Sequence, residues 1–67
     1  MFRLQEGTHA GKTNSGKRFE YSLLSIGGIG EQNEYQLDLK VYGETQSFST
    51  IIQPGQLAEF AGIKFIF

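Results

Sequence analysis

The sequence closes on Ile63-Lys64-Phe65-Ile66-Phe67, an apolar strand pattern with no polar stretch after it. Its alternate residues Ile63, Phe65 and Phe67 carry enough apolar surface that they must leave water, so these residues are expected to complete a sheet. Ile66 lies in the opposite phase and asks for cover from elsewhere in the fold or from a second subunit.

A chain of 67 residues is expected to form one small β domain over residues 1–67, near the lower limit for a self-sufficient core. Domains of this size lean on disulfides, a metal, oligomerisation or dense packing. With no cysteine and a single histidine, the first is excluded and an all-protein zinc site is disfavoured. Packing and self-association remain, so the expectation is a homo-oligomer without metal or other cofactor. Absence of cysteine fits a reducing compartment, which points to the cytoplasm. No apolar run of about 18 residues and no basic-then-apolar leader is present, so no membrane association is expected.

Charge is uneven. Residues 1–30 hold Arg3, Lys12, Lys17 and Arg18 against Glu6 and Glu20, whereas residues 31–67 hold Lys40 and Lys64 against Glu31, Glu34, Asp38, Glu44 and Glu59. The cations are too sparse for general nucleic-acid binding, which needs clustered Lys and Arg to displace counterions from several phosphates.

Period-two alternation dominates the chain. Phe2 and Leu4 open a short strand, and residues 18–26 give a second with Phe19, Tyr21 and Leu23 in one phase. The clearest strand is 34–42, where Tyr35, Leu37, Leu39 and Val41 share the core face and Gln36, Asp38, Lys40 and Tyr42 the other. Gly43-Glu44 is expected to turn the chain into a return strand over 45–52, with Phe48, Thr50 and Ile52 inward. Gln53-Pro54-Gly55-Gln56 suits a type II turn, Gln56–Ala61 is a weak helical turn, and Gly27 to Asn33 make a further turn. Residues 7–16 hold three glycines and almost no apolar side chain, and read as a flexible glycine-rich loop. Together these features predict an all-β fold. It is either a small five-stranded SH3-like barrel, whose closure would remove exposed edges, or a compact β-sandwich completed across an oligomer.

Catalysis finds no support. Gly11-Lys12-Thr13 matches the end of a phosphate-binding P-loop, but Glu6 stands where its first glycine belongs and Asn14-Ser15-Gly16 breaks the helix it needs. His9 has no acid or nucleophile partner in view, no nucleophile elbow surrounds Ser47, Ser49 or Thr50, and Glu31 with Glu34 sit beside a turn, in water. The chain is therefore read as a non-enzyme. Binding is read at Lys12, Lys17 and Arg18, in a loop with free amides, and at Tyr42 with Lys40 on the polar face of their strand. The leading expectation is a protein-interaction module, a small inhibitor or accessory protein of the phage or mobile-element type, acting through a loop or strand face. The alternative is an oligomeric protein that binds or sequesters an anionic small ligand such as a nucleotide.

Overall fold

The alternation seen in the sequence carries through to a computed structural model that describes residues 1–27 and 34–67. The expected turn through Gly28–Asn33 and the carboxylate Glu31 lie outside the described residues. Seven strands are described: β1 (Phe2–Arg3), β2 (Gly7–Lys12), β3 (Arg18–Gly27), β4 (Glu34–Val41), β5 (Phe48–Ile52), β6 (Leu57–Phe60) and β7 (Ile63–Ile66). They form a four-stranded sheet of order β2-β3-β4-β5 and a three-stranded sheet of order β1-β7-β6. The fold is all-β, and among the described residues no ladder closes the two sheets into a barrel.

In β3 and β4 the odd residues face the core and the even residues face away. Phe19, Tyr21 and Leu23 sit opposite Val41, Leu39 and Leu37, and all six are buried. The three-stranded sheet covers them. Phe65 is fully buried and meets Phe19 edge-on at 5.3 Å, Phe2 meets Phe19 at 4.7 Å, Phe67 meets Tyr35 at 4.8 Å, and Phe60 stacks on Phe48 at 5.4 Å. These edge-on and offset arrangements suit the aromatic quadrupole. The one buried phenol is satisfied, since Tyr21 Oη accepts the Gln5 backbone N–H at 3.0 Å.

Three local expectations are corrected. Residues 7–12, expected within an irregular loop over 7–16, are strand β2, fully paired with Arg18–Leu23 of β3. The strand carries only Gly7, His9 and Gly11 on its inner face, and β3 supplies the large apolar side chains: the Phe19 ring lies over Gly11 so closely that a Cβ there would stand 2.5 Å from Phe19 Cζ. Residues 57–60 are strand rather than helical turn, since four residues cannot sustain a helix and Ala58 and Phe60 gain burial by facing the core. The β4–β5 connection is longer than a Gly43-Glu44 hairpin, for the last registered pair is Leu39 with Phe48. Glu44 N–H closes onto the Val41 carbonyl at 3.1 Å with Gly43 at φ 97°, and the chain then takes residues 45–47 to return. The Pro54-Gly55 turn forms as expected, with Gln56 N–H donating to the Gln53 carbonyl at 3.1 Å and Gly55 at φ 90°.

Candidate interaction surface

Register on the four-stranded sheet places outward-facing side chains in cross-strand rows. Lys12 is paired with Arg18, and the Tyr42 N–H donates to the Arg18 carbonyl at 2.9 Å, so Lys12, Arg18 and Tyr42 form one row. Ala10, Glu20 and Lys40 form the next, and Thr8, Ser22, Asp38 and Ser49 the one after. Leu24, Gln36 and Ile51 form the last complete row, with Ile26 at a bulge just beyond. Leu24, Ile26 and Ile51 are each about half exposed, at 52%, 51% and 53%.

The face is graded. Cations and a tyrosine occupy one end, hydroxyls and the carboxylates Glu20 and Asp38 the middle, and aliphatics with Gln36 the other end. At roughly 3.3 Å per residue, the six steps from Arg18 to Leu24 span about 20 Å. The middle is internally bonded: Ser49 Oγ donates to Asp38 Oδ1 at 2.7 Å and Gln36 Nε2 donates to Ser49 Oγ at 2.6 Å. Towards the basic end, Tyr42 Oη donates to Glu20 Oε2 at 3.5 Å, and Lys40 Nζ lies 5.6 Å from the centre of the Tyr42 ring. A groove of about 350 Å³ runs across the middle rows, lined by Thr8, Glu20, Ser22, Asp38, Lys40 and Ser47 among others.

Of the residues read from the sequence as binding candidates, Lys12, Arg18, Lys40 and Tyr42 therefore share one face and one end of it. Lys17 does not. Its Nζ donates to the Ala61 carbonyl at 2.9 Å and lies 4.0 Å from the Glu44 carboxylate, tying the β2–β3 tip towards the other sheet. The tip also uses amides that had been expected to be free: Gly16 N–H donates to the Thr13 carbonyl and Lys17 N–H to Thr13 Oγ1. His9 is a strand residue whose Nε2–H donates to the Glu6 carbonyl at 3.0 Å and whose ring packs 5.4 Å from that of Tyr21.

An exposed aliphatic patch of Leu24, Ile26, Ile51 and Ile66 is the arrangement that apolar residues in both phases imply. Ile66 departs from it, because it stands beside Arg3 and Leu57 on the three-stranded sheet. The Gln36–Asp38–Ser49 network has no local signal in the sequence; it depends on β4–β5 register, which a six-residue connection leaves unspecified. Among the described residues no three His, Asp or Glu side chains are grouped to hold a metal, and no helix is long and apolar enough to cross a membrane. Comparison with family models, curated proteins and solved structures finds no match to this chain.

Proposed function

We propose that this chain is a non-enzymatic protein-interaction module, of inhibitor or accessory type, that docks a partner on the outer face of its four-stranded sheet. The observation that carries the reading is the grading of that face. Lys12, Arg18 and Tyr42 at one end and Leu24 and Ile51 at the other favour a partner surface with carboxylates and apolar side chains separated by about the same 20 Å. Two copies stacked face to face in antiparallel fashion would set the cations of each over the aliphatics of the other, so an unlike partner fits better than a second copy. Covering the aliphatic end would add a layer over the outer face of the four-stranded sheet with material from outside the chain.

A second reading draws on Lys12 and Arg18 standing directly opposite each other. Like charges in that relation repel, and a bound anion would relieve them. In this reading an oligomer holds an anionic small ligand such as a nucleotide against Lys12, Arg18 and Tyr42.

The two readings separate by experiment. Under the first, tagged protein captures a partner from its host, K12E/R18E loses it, and ATP or GTP leaves the melting temperature unchanged. Under the second, nucleotide raises the melting temperature, because ligand selective for the native state adds RT ln(1 + [L]/Kd), and light scattering gives a multiple of the monomer mass. Capture that persists in both K12E/R18E and L24S/I51S would overturn the outer-face assignment.

A further inference from the structure

The four-stranded sheet has two edges, and the ladder pattern shows which backbone groups each presents. Thr13 N–H donates to the Lys17 carbonyl, and Tyr42 N–H donates to the Arg18 carbonyl. Antiparallel alternation then directs the N–H and C=O groups of Gly7, His9 and Gly11 inward to β3, and those of Thr8, Ala10 and Lys12 outward. β2 is an edge strand, and among the described residues no strand lies on its other side.

The other edges are blunted. β1 has two residues and β6 four, the latter with Glu59 among its outward positions. On β5, Thr50 Oγ1 donates to the outward carbonyl of Ile51 at 3.4 Å, and Pro54 follows closely. β2 is six residues long, contains no proline and pairs with β3 without a bulge. Its outer-face side chains Thr8 and Ala10 are small, so little stands in the way of an approaching backbone.

We propose that β2 accepts an extended segment of a protein partner as a fifth strand, and that this segment alternates acidic with apolar residues. The proposal rests on the partner-binding reading and specifies how the partner is held. Charge selects the acidic phase: a residue opposite Lys12 would join the row of Lys12, Arg18 and Tyr42, which contains two cations and no carboxylate. The apolar phase follows from the inner side of the strand, where Gly11 lies against the Phe19 ring and the half-buried Phe2 packs on that ring edge-on. A second copy of β2 fits less well. Antiparallel pairing centred on Ala10 would set Thr8 against Lys12 and leave the cation row unpaired. Main-chain hydrogen bonds would supply affinity and the alternating side chains selectivity, as in strand addition generally.

The probe is a terminally capped, fluorescein-labelled octapeptide of alternating valine and glutamate, with alternating valine and lysine as control. Anisotropy is expected to show the glutamate peptide binding at least tenfold tighter than the lysine peptide. In the wild-type protein, bound peptide should slow amide exchange at Thr8, Ala10 and Lys12 and leave Gly7, His9 and Gly11 unchanged, a measurement that requires no variant. Ala10→Pro removes an outward N–H and keeps the ladder to β3 intact, which edge strands tolerate. It should hold the melting temperature within a few degrees and weaken the glutamate peptide at least tenfold. Equal binding of both peptides, protection at Ser49 and Ile51 instead, or unchanged binding by a folded A10P variant would each overturn the proposal. Wild-type dimerisation abolished by A10P would identify the occupant as a second copy and overturn it as well. Native-partner capture that survives A10P but is lost in K12E/R18E would remove strand addition and leave the outer-face reading standing.

Discussion

The two sheets share one core and divide the remaining labour unequally. In the three-stranded sheet the aromatic side chains turn inward, with Ile63 and Phe65 buried and Phe2, Phe60 and Phe67 packed against the core. Its outer face holds Arg3, Leu57, Glu59, Lys64 and Ile66 without a gradient. The four-stranded sheet supplies most of the buried core from its inner side, yet its outer side is graded from cations to aliphatics and, among the described residues, its β2 edge is open. Substitutions in the smaller sheet should therefore register as lost stability, whereas those on the outer face of the larger sheet should register as lost binding.

The strongest attempt to break this comparison is to delete Phe65-Ile66-Phe67. Phe65 is fully buried, which is worth about 1.5–3 kcal/mol, and the partly buried Ile66 and Phe67 each add a smaller amount. The deletion also removes Leu4 N–H to the Ile66 carbonyl, Gly55 N–H to the Phe67 carbonyl and Phe67 N–H to the Gln56 carbonyl. The sum approaches the whole stability of so small a domain. Thermal unfolding followed by circular dichroism should lose its cooperative transition. A cooperative transition near the wild-type midpoint would show that the larger sheet folds without this cover.

A milder intrusion tests the seam between the sheets. In Gly11→Val the new side chain meets the Phe19 ring, which is itself held by Phe2 and Phe65, so the ring cannot simply swing away. Overpacking of this kind costs about 1–3 kcal/mol. Ala10→Val, one residue away on the outer face, should change stability by less than about 0.5 kcal/mol. Denaturant midpoints for the two variants that coincide would mean that Phe19 does not anchor β2.

This contrast also explains what the sequence made legible. Strands β3, β4 and β7 carry their own alternation, so Leu37, Leu39, Val41 and Phe65 declare their burial directly. β2 does not, because Gly7, His9 and Gly11 gain their strand environment from Tyr21 and Phe19 on the neighbouring strand. That is a tertiary effect with no local signature. β6 was obscured in the same way by its length. Candidate residues far apart in sequence, Lys12 and Arg18 with Lys40 and Tyr42, became one cluster only through β2–β3 and β3–β4 register. Lys17, adjacent to Arg18 in sequence, was drawn off by the Ala61 carbonyl of the opposite sheet.

That carbonyl belongs to a strained corner of the smaller sheet. Phe60 pairs with Ile63, leaving a two-residue turn in which Ala61 adopts φ 54° and Gly62 φ 77°. Both central residues of a type I′ turn need positive φ, a region in which alanine is disfavoured. Ala61→Gly should stabilise the protein by about 0.5–1 kcal/mol and raise the melting temperature by a few degrees, offset in part by the loss of one half-buried methyl group. A lower melting temperature would show that the Ala61 methyl matters more to packing than its backbone costs in strain.

The smallest expected change in stability should accompany the largest change in binding, at the basic end of the outer face. Lys12→Glu alone replaces a like-charge pair across the β2–β3 hairpin with an opposite-charge pair, a change worth about 0.2–1 kcal/mol in favour of the fold. Adding Arg18→Glu restores a like-charge pair of the other sign, so the double variant should melt within about 2–4 °C of wild type. Capture of a partner should nevertheless weaken in the single variant and disappear in the double one, because the row facing that partner has changed from two positive charges to two negative ones. If binding instead survives the double reversal and disappears on Tyr42→Ala, recognition sits on the ring and its Lys40 neighbour. Only a double variant that both unfolds and fails to bind would erase the distinction between a sheet that holds the fold and a face that meets a partner.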